Sequence, residues 1–281
     1  MYRKLLLCFV LFISAFSLNA QTREELEQAA PAALANKEFI LYFQPICKFD
    51  KSKICGAEVL TRWNKGGQLI PPGKFIPLFE ENGFIKALDA YVIDNTLKYL
   101  QTWENENLQI GFLTVNISAL ELDDLEFIEY LKNLLTKYNV AANKIIIEIT
   151  ETAEAKDQKT AKEFMLALKN LGVKIALDDF GDGYANSENL KTFPYDIIKI
   201  SKKLLDNFQN KNTRKELKNT VKMLKKFSMP IIAEGIENKQ EANFLKRRGI
   251  NFAQGYLYYK PMPETDFKKL LSNKLPKYCK I

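Results

Sequence analysis

The sequence predicts an α/β fold, a modified (β/α)8 barrel of the TIM type with an antiparallel first strand, and three observations predict it. The 281 residues are 47% apolar, enough for one large core, and no Gly/Ser- or Pro-rich linker divides them. Strand-like and helix-like segments alternate almost to the carboxyl end, which is the pattern of a parallel sheet covered by helices. About eight such strands in about 250 residues close most economically as a barrel. Only the first two strands break the alternation, because a short polar turn joins them directly.

After a helical lead-in over 24–35, residues 39–45 read as a strand and 54–63 as its neighbour. The turn Asp50-Lys51-Ser52-Lys53 is too short for a parallel crossover, so this pair is antiparallel. Helical patterns over 72–80 and 87–103 precede a strand at 110–117, followed by helix 124–138, strand 144–149, helix 159–171 and strand 173–177. A loop and short helix, 187–192, lead to strand 196–200, helix 214–227, strand 230–233, helix 239–248, strand 251–253 and helix 264–271.

The termini stand apart from this frame. Residues 1–20 read as a signal peptide or membrane anchor, from the basic start Arg3-Lys4, the apolar run 5–16 and Ala20 at a cleavage position. Residues 21–275 are expected to form a single domain, and 276–281 a basic tail. The expected location is therefore exported or membrane-anchored, with the cytoplasm as the alternative. An oxidising compartment would permit a bridge between Cys47 and Cys55 across the hairpin; the simpler reading makes both small hydrophobes in half-buried strands.

Composition excludes several chemistries. With no histidine, the chain has neither a Ser-His-Asp triad nor the usual ligands of catalytic zinc. A metal would be held by oxygen, which favours Mg²⁺ or Mn²⁺. The formal charge of +7 is spread over Lys-rich helices without a stripe of interleaved aromatics, so no nucleic acid polymer is expected as a partner. Such a field still favours capture of a small anion.

Polar residues fall where the strands should be apolar. Glu58 lies within the second strand, and Asn116, Glu148, Asp178, Asp179, Lys199 and Glu234 lie at or near the carboxyl ends of later ones. Any one of the acids alone reads as a helix cap. Seven polar groups at one end of successive strands cannot all be caps, and carboxylates gathered this closely require cations. Six oxygen ligands suffice for two metals, which at a spacing of about 3.5–4 Å clamp a phosphodiester and lower the pKa of a bridging water. Lys199 would stabilise charge on the phosphorane or act as counter-ion to the cluster. Residue types alone leave open a barrel enzyme of the enolase type, which also places acidic metal ligands and a lysine base at strand ends.

Short motifs separate the two. Glu58-Val59-Leu60, within Gly56-Ala57-Glu58-Val59-Leu60-Thr61-Arg62-Trp63, resembles the signature of the EAL-domain family with Val in the middle place. In matching order follow Val115-Asn116-Ile117-Ser118, Glu148-Ile149-Thr150-Glu151, Asp178-Asp179-Phe180-Gly181-Asp182-Gly183-Tyr184, Lys199-Ile200, Ala233-Glu234-Gly235-Ile236-Glu237 and Gln254-Gly255-Tyr256. Phe75-Ile76-Pro77, Leu88-Asp89 and Lys260-Pro261 also fit.

The resemblance implies a barrel with an antiparallel first strand and hydrolysis of cyclic di-GMP to linear pGpG with two Mg²⁺ or Mn²⁺ ions per site. It implies metal ligation by Glu58, Asn116, Glu148, Asp178, Asp179 and Glu234, catalytic assistance by Lys199 and Glu237, and a loop-steadying role for Glu151. Gln44, Leu60, Arg62 and Gln254 match substrate-binding positions. Cyclic di-GMP, a membrane reached through residues 1–20 and a second copy in a homodimer are the expected partners. Three places depart from the family pattern: Ser201 stands where Asp is usual, Asp182 where Thr is usual, and Ala185-Asn186 where a Ser pair is usual. The alternative reading these favour is a catalytically weak or inactive receptor that binds cyclic di-GMP and signals to a partner.

Overall fold

The structure, a computed structural model, describes residues 22–49, 53–150, 157–182 and 189–273. Glu151, the segment 1–20, residues 50–52, Ala185, Asn186 and the tail 276–281 lie outside the described residues.

One sheet contains β1 (Phe39–Cys47), β2 (Ile54–Lys65), β3 (Gln68–Ile70), β4 (Phe112–Asn116), β5 (Ile145–Thr150), β6 (Lys174–Phe180), β7 (Ile197–Ile200), β8 (Ile231–Ala233), β9 (Phe252–Ala253) and β10 (Met262–Pro263). Eight of these close the barrel, with β3 and β10 as short additions beside β2 and β1. The reversed first strand is present: β1 is antiparallel to both β2 and β9, and every other barrel pairing is parallel. β3 and β10 stand outside the strand–helix alternation from which the other strands are read, which is why sequence pattern does not find them.

The helices are α1 (Arg23–Ala35), α2 (Ile76–Asn82), α3 (Ile85–Asn105), α4 (Leu125–Tyr138), α5 (Gln158–Asn170), α6 (Asn189–Thr192), α7 (Lys211–Leu224), α8 (Lys239–Lys246) and α9 (Glu264–Asn273). Their starts follow local chemistry. The side chains of Asp124, Asp157, Asn210 and Asn238 each accept backbone N–H groups at the first turn of α4, α5, α7 and α8. The segment read as one helix over 72–80 is a 3₁₀ turn, Pro72–Lys74, followed by α2, which Gly83 ends in the left-handed region at φ 79°.

Two apolar layers hold the barrel. Outside, residues such as Ala57, Val59 and Trp63 of β2 meet the helices, and Trp63 packs against Phe39, Phe75 and Phe79 with ring centroids 5.0–5.9 Å away. Inside, a plug takes one residue from each barrel strand: Ile46, Cys55, Phe112, Ile146, Ala176, Ile197, Ile232 and Phe252. Gly56 is required here, because a Cβ would lie 2.3 Å from the Phe112 ring.

The Cys47–Cys55 bridge that an oxidising compartment would permit is not formed, in line with the simpler reading of Cys47 as a small buried hydrophobe. The register passes from Ile46↔Gly56 to Cys47↔Ile54, so Cys55 is the extra residue of a β-bulge and joins the inner plug. Cys47 faces the outer layer as a buried thiol that donates to the Ala253 carbonyl at 3.5 Å. The sulfurs therefore sit on opposite faces of the wall. Among the described residues, no helix is long and apolar enough to cross a membrane.

Candidate metal centre

Side chains in a strand repeat every two residues, and the site is built on that period. Two residues beyond each plug position toward the barrel mouth stand Thr114, Glu148, Asp178, Lys199, Glu234 and Gln254; Glu58 lies two beyond Gly56. Gln44 lies two before Ile46 because β1 is reversed, and it pairs in register with Glu58. The apolar plug thus carries a ring of polar groups directly above it.

Lys199 occupies the centre of that ring with its side chain wholly buried. Its Nζ lies 2.6 Å from Glu234 Oε1, 2.7 Å from Glu148 Oε1, 3.0 Å from Asp178 Oδ1 and 3.6 Å from Glu58 Oε2. Burial opposes the charge on Lys199, but these four carboxylates outweigh it and hold the ammonium well above the ordinary lysine range. Burial pushes the carboxyls of Glu148 and Glu234 well above their ordinary range, with Lys199 opposing the shift. One ammonium cannot neutralise so many acids. Lys199 thus serves as a shared cation for buried acids whose oxygens, Glu148 Oε1 and Asp178 Oδ1 among them, have little else to satisfy them.

Asp178 and Asp179 are adjacent in sequence, yet both serve one side of the wall. The β6–β7 register runs from Leu177↔Ile198 to Phe180↔Ile200, a bulge, and Asp179 takes a left-handed φ of 55° at a cost of about 1–3 kcal/mol. Ligand atoms of Asp178, Asp179 and Glu234 then lie within 4.8 Å of one another. Burial, then the neighbours Asp178 and Asp182, raise the Asp179 carboxyl to about 6.

Asn116 stands two residues beyond Thr114 and donates to Glu58 Oε1 at 3.2 Å and Glu148 Oε2 at 3.0 Å, leaving its own oxygen available. The site is therefore rich in oxygen donors, and its buried carboxylates outnumber the single ammonium of Lys199. A hard divalent cation fits that set.

The remaining expected residues surround this centre. Gln254 donates to Glu58 Oε2 at 2.5 Å and to Gln44 Oε1 at 3.2 Å, while Gln44 donates to the Tyr259 carbonyl at 3.2 Å. Gln44, Glu58, Leu60, Glu234, Glu237 and Gln254 line a cavity of about 290 Å³ together with Lys202 and Tyr256. Glu237 is at the exposed rim, ion-paired with Lys202, and not among the carboxylates around Lys199. Arg62, half-buried, lies 5.6 Å over the Tyr42 ring and donates to the Thr61 carbonyl at 2.8 Å.

Sequence reasoning gave no role to Tyr256 or to a second hollow. Tyr256 is 59% exposed at the mouth, presented by Gly255, whose Cβ would come within 2.3 Å of Ile236 backbone. A cavity of about 720 Å³ adjoins Leu60 and Asn116. In its wall, Ser118 donates its N–H to Asp89 and its hydroxyl to Glu80, each at 2.9 Å. Burial drives the Asp89 carboxyl well above its ordinary range. The available signals were the motif matches Gln254-Gly255-Tyr256 and Leu88-Asp89, the latter an acid on the apolar face of a helix.

The sequence matches the profile of the family described as EAL domain over residues 24–261. It is 31% identical over 247 residues to signaling protein YkoW of Bacillus subtilis, covering 87% of this chain and 31% of that protein. It is 30% identical over 236 residues to the probable cyclic di-GMP phosphodiesterase PdeB of Escherichia coli, covering 84% of this chain and 45% of that one. The chain thus spans less than half the length of these relatives. The structure superimposes on the phosphodiesterase PaMucR in its c-di-GMP complex with a TM-score of 0.81 and 28% identity, covering 86% of this chain and 99% of the other.

Proposed function

This chain belongs to the EAL-domain family, and from that premise we propose that it is a metal-dependent phosphodiesterase that hydrolyses cyclic di-GMP to linear pGpG. The observation that carries the proposal is the ring of five carboxylates, Glu58, Glu148, Asp178, Asp179 and Glu234, gathered about one ammonium. The names of PdeB and of the PaMucR complex support the substrate.

The same carboxylates and the oxygen of Asn116 would hold two Mg²⁺ or Mn²⁺ ions, whose four positive charges match the formal excess of five carboxylates over one ammonium. Bound there, such ions supply Lewis acidity toward a phosphodiester and a nucleophilic water. Lys199 would hold a fixed positive charge within the carboxylate cluster, suited to stabilise charge developing on the phosphorane. Gln254 and Gln44 orient Glu58 through the amide relay that ends on the Tyr259 carbonyl. The Arg62 guanidinium suits a phosphate oxygen or a guanine edge, and Leu60 and Tyr256 offer apolar surface to a base. In the reaction a water oxygen bonds to phosphorus, one P–O3′ bond breaks, and the departing O3′ keeps the electron pair and gains a proton.

The second reading, a domain that holds cyclic di-GMP without cleaving it, draws on Ser201 and Asp182. One assay separates them: the full chain with cyclic di-GMP and Mg²⁺ or Mn²⁺, products resolved by chromatography. Linear pGpG is expected. Tight calorimetric binding by folded protein without linear product establishes the receptor instead.

A further inference from the structure

The bulge that turns Asp179 toward the centre is fastened to the segment that follows β7. Asp182 N–H donates to Asp179 O at 3.1 Å, closing a tight turn around the left-handed residue, and Ser201 N–H donates to Phe180 O at 3.1 Å. Side chains complete the fastening. The buried Ser201 hydroxyl donates to Asp182 Oδ1 at 2.5 Å and accepts from Lys203 N–H at 3.2 Å, while Lys203 Nζ lies 2.6 Å from Asp182 Oδ2. Gly181 packs so tightly on Leu204 that a Cβ would come within 2.4 Å of it. Residues 180–182 are thereby stitched to 201–204, just past Lys199.

We infer that Asp182 and Ser201 form a hydroxyl–carboxylate clasp that holds Asp179 in its left-handed conformation and so sets the geometry of the Asp178–Asp179–Glu234 pocket for a divalent ion. Both are positioning residues, acting through Asp179 and touching no reacting atom. The inference rests on the metal-dependent reading above. The charge on Asp182 is secondary: its exposed partner Lys203 contributes little, whereas the bond to the buried hydroxyl is shielded from water. The essential element is one donor and one acceptor across this gap, in either order. Without the clasp the strained backbone at Asp179 is free to relax, and the two aspartates no longer converge.

The test uses the full chain titrated with Mn²⁺ alone by calorimetry. Ser201→Ala and Asp182→Ala should each weaken Mn²⁺ binding about 10- to 100-fold, the range for partners that orient a ligand. Asp182→Asn keeps the acceptor for Ser201 and should stay near wild type. Exchanging the two roles, Asp182→Ser with Ser201→Asp, should recover affinity that Ser201→Asp alone loses. In metal-free protein, hydrogen exchange at the Asp182 and Ser201 amides should quicken in Ser201→Ala. Equal Mn²⁺ affinity in the alanine variants, or unchanged exchange, overturns the clasp. Wild-type protein that binds Mn²⁺ without hydrolysing cyclic di-GMP sinks the phosphodiesterase reading while leaving the clasp standing on these two measurements.

Discussion

Lys199 and Glu148 meet at 2.7 Å with both side chains completely buried, so neither can lose its partner to water. Lys199→Met should therefore cost about 3–5 kcal/mol of stability at neutral pH in metal-free protein, because removing one partner leaves uncompensated buried charge. Chemical denaturation with a chelator present measures it. An unchanged midpoint would show that the carboxylates neutralise themselves by taking up protons.

The excess of carboxylates makes metal a stabilising ligand. Mn²⁺ at about a hundred times its dissociation constant should add about 2.7 kcal/mol to unfolding free energy, and a chelator should remove it. Thermal melts across a Mn²⁺ series report the effect, and a melting temperature indifferent to Mn²⁺ argues against ion binding at Asp178, Asp179 and Glu234.

Glu58 links three groups, since Asn116 and Gln254 both donate to it and Lys199 lies 3.6 Å away. Glu58→Ala should reduce cyclic di-GMP hydrolysis more than about a hundredfold, and Gln254→Ala about 10- to 100-fold through loss of orientation. Initial rates at saturating Mn²⁺ distinguish them; equal rates for wild type and Glu58→Ala would remove Glu58 from the site.

Glu121, buried in the turn Ala119–Glu121 that follows β4, has its carboxyl raised from 4.5 to about 7, chiefly by burial and against the pull of Lys86. The folded protein therefore holds this proton more tightly than the unfolded chain. The associated stability is fully present below pH 4.5 and fades as pH rises through about 7. Glu121→Gln should be more stable than wild type at pH 8, with the advantage vanishing in acid. Melts between pH 5 and 8 check this, and parallel pH profiles for the two proteins would refute it.

Strand order and the reversed first strand were legible in the sequence because alternation and a short turn are local signals. So were the acids, since Glu148 and Glu234 interrupt runs of Ile and Ala that nothing else explains. The bulges were not. An Asp-Asp pair does not announce that Asp179 turns left-handed, nor does Cys55 announce that it sits at a register shift; both depend on the register of a neighbouring strand. The start of α7 was set three residues late because Lys211-Asn212-Thr213 carries no apolar period, although Asn210 caps it. The motif implies that Glu237 assists at or beside the catalytic centre; its pairing with Lys202 at the rim is a tertiary fact that no local pattern carries.

The plug contributed by all eight strands makes the barrel a well rather than a pipe. Among the described residues, whatever enters must leave by the end of the barrel that carries Tyr256 and the Lys202–Glu237 pair. On the phosphodiesterase reading proposed above, linear dinucleotide and fresh substrate share that mouth, so added pGpG should compete with cyclic di-GMP.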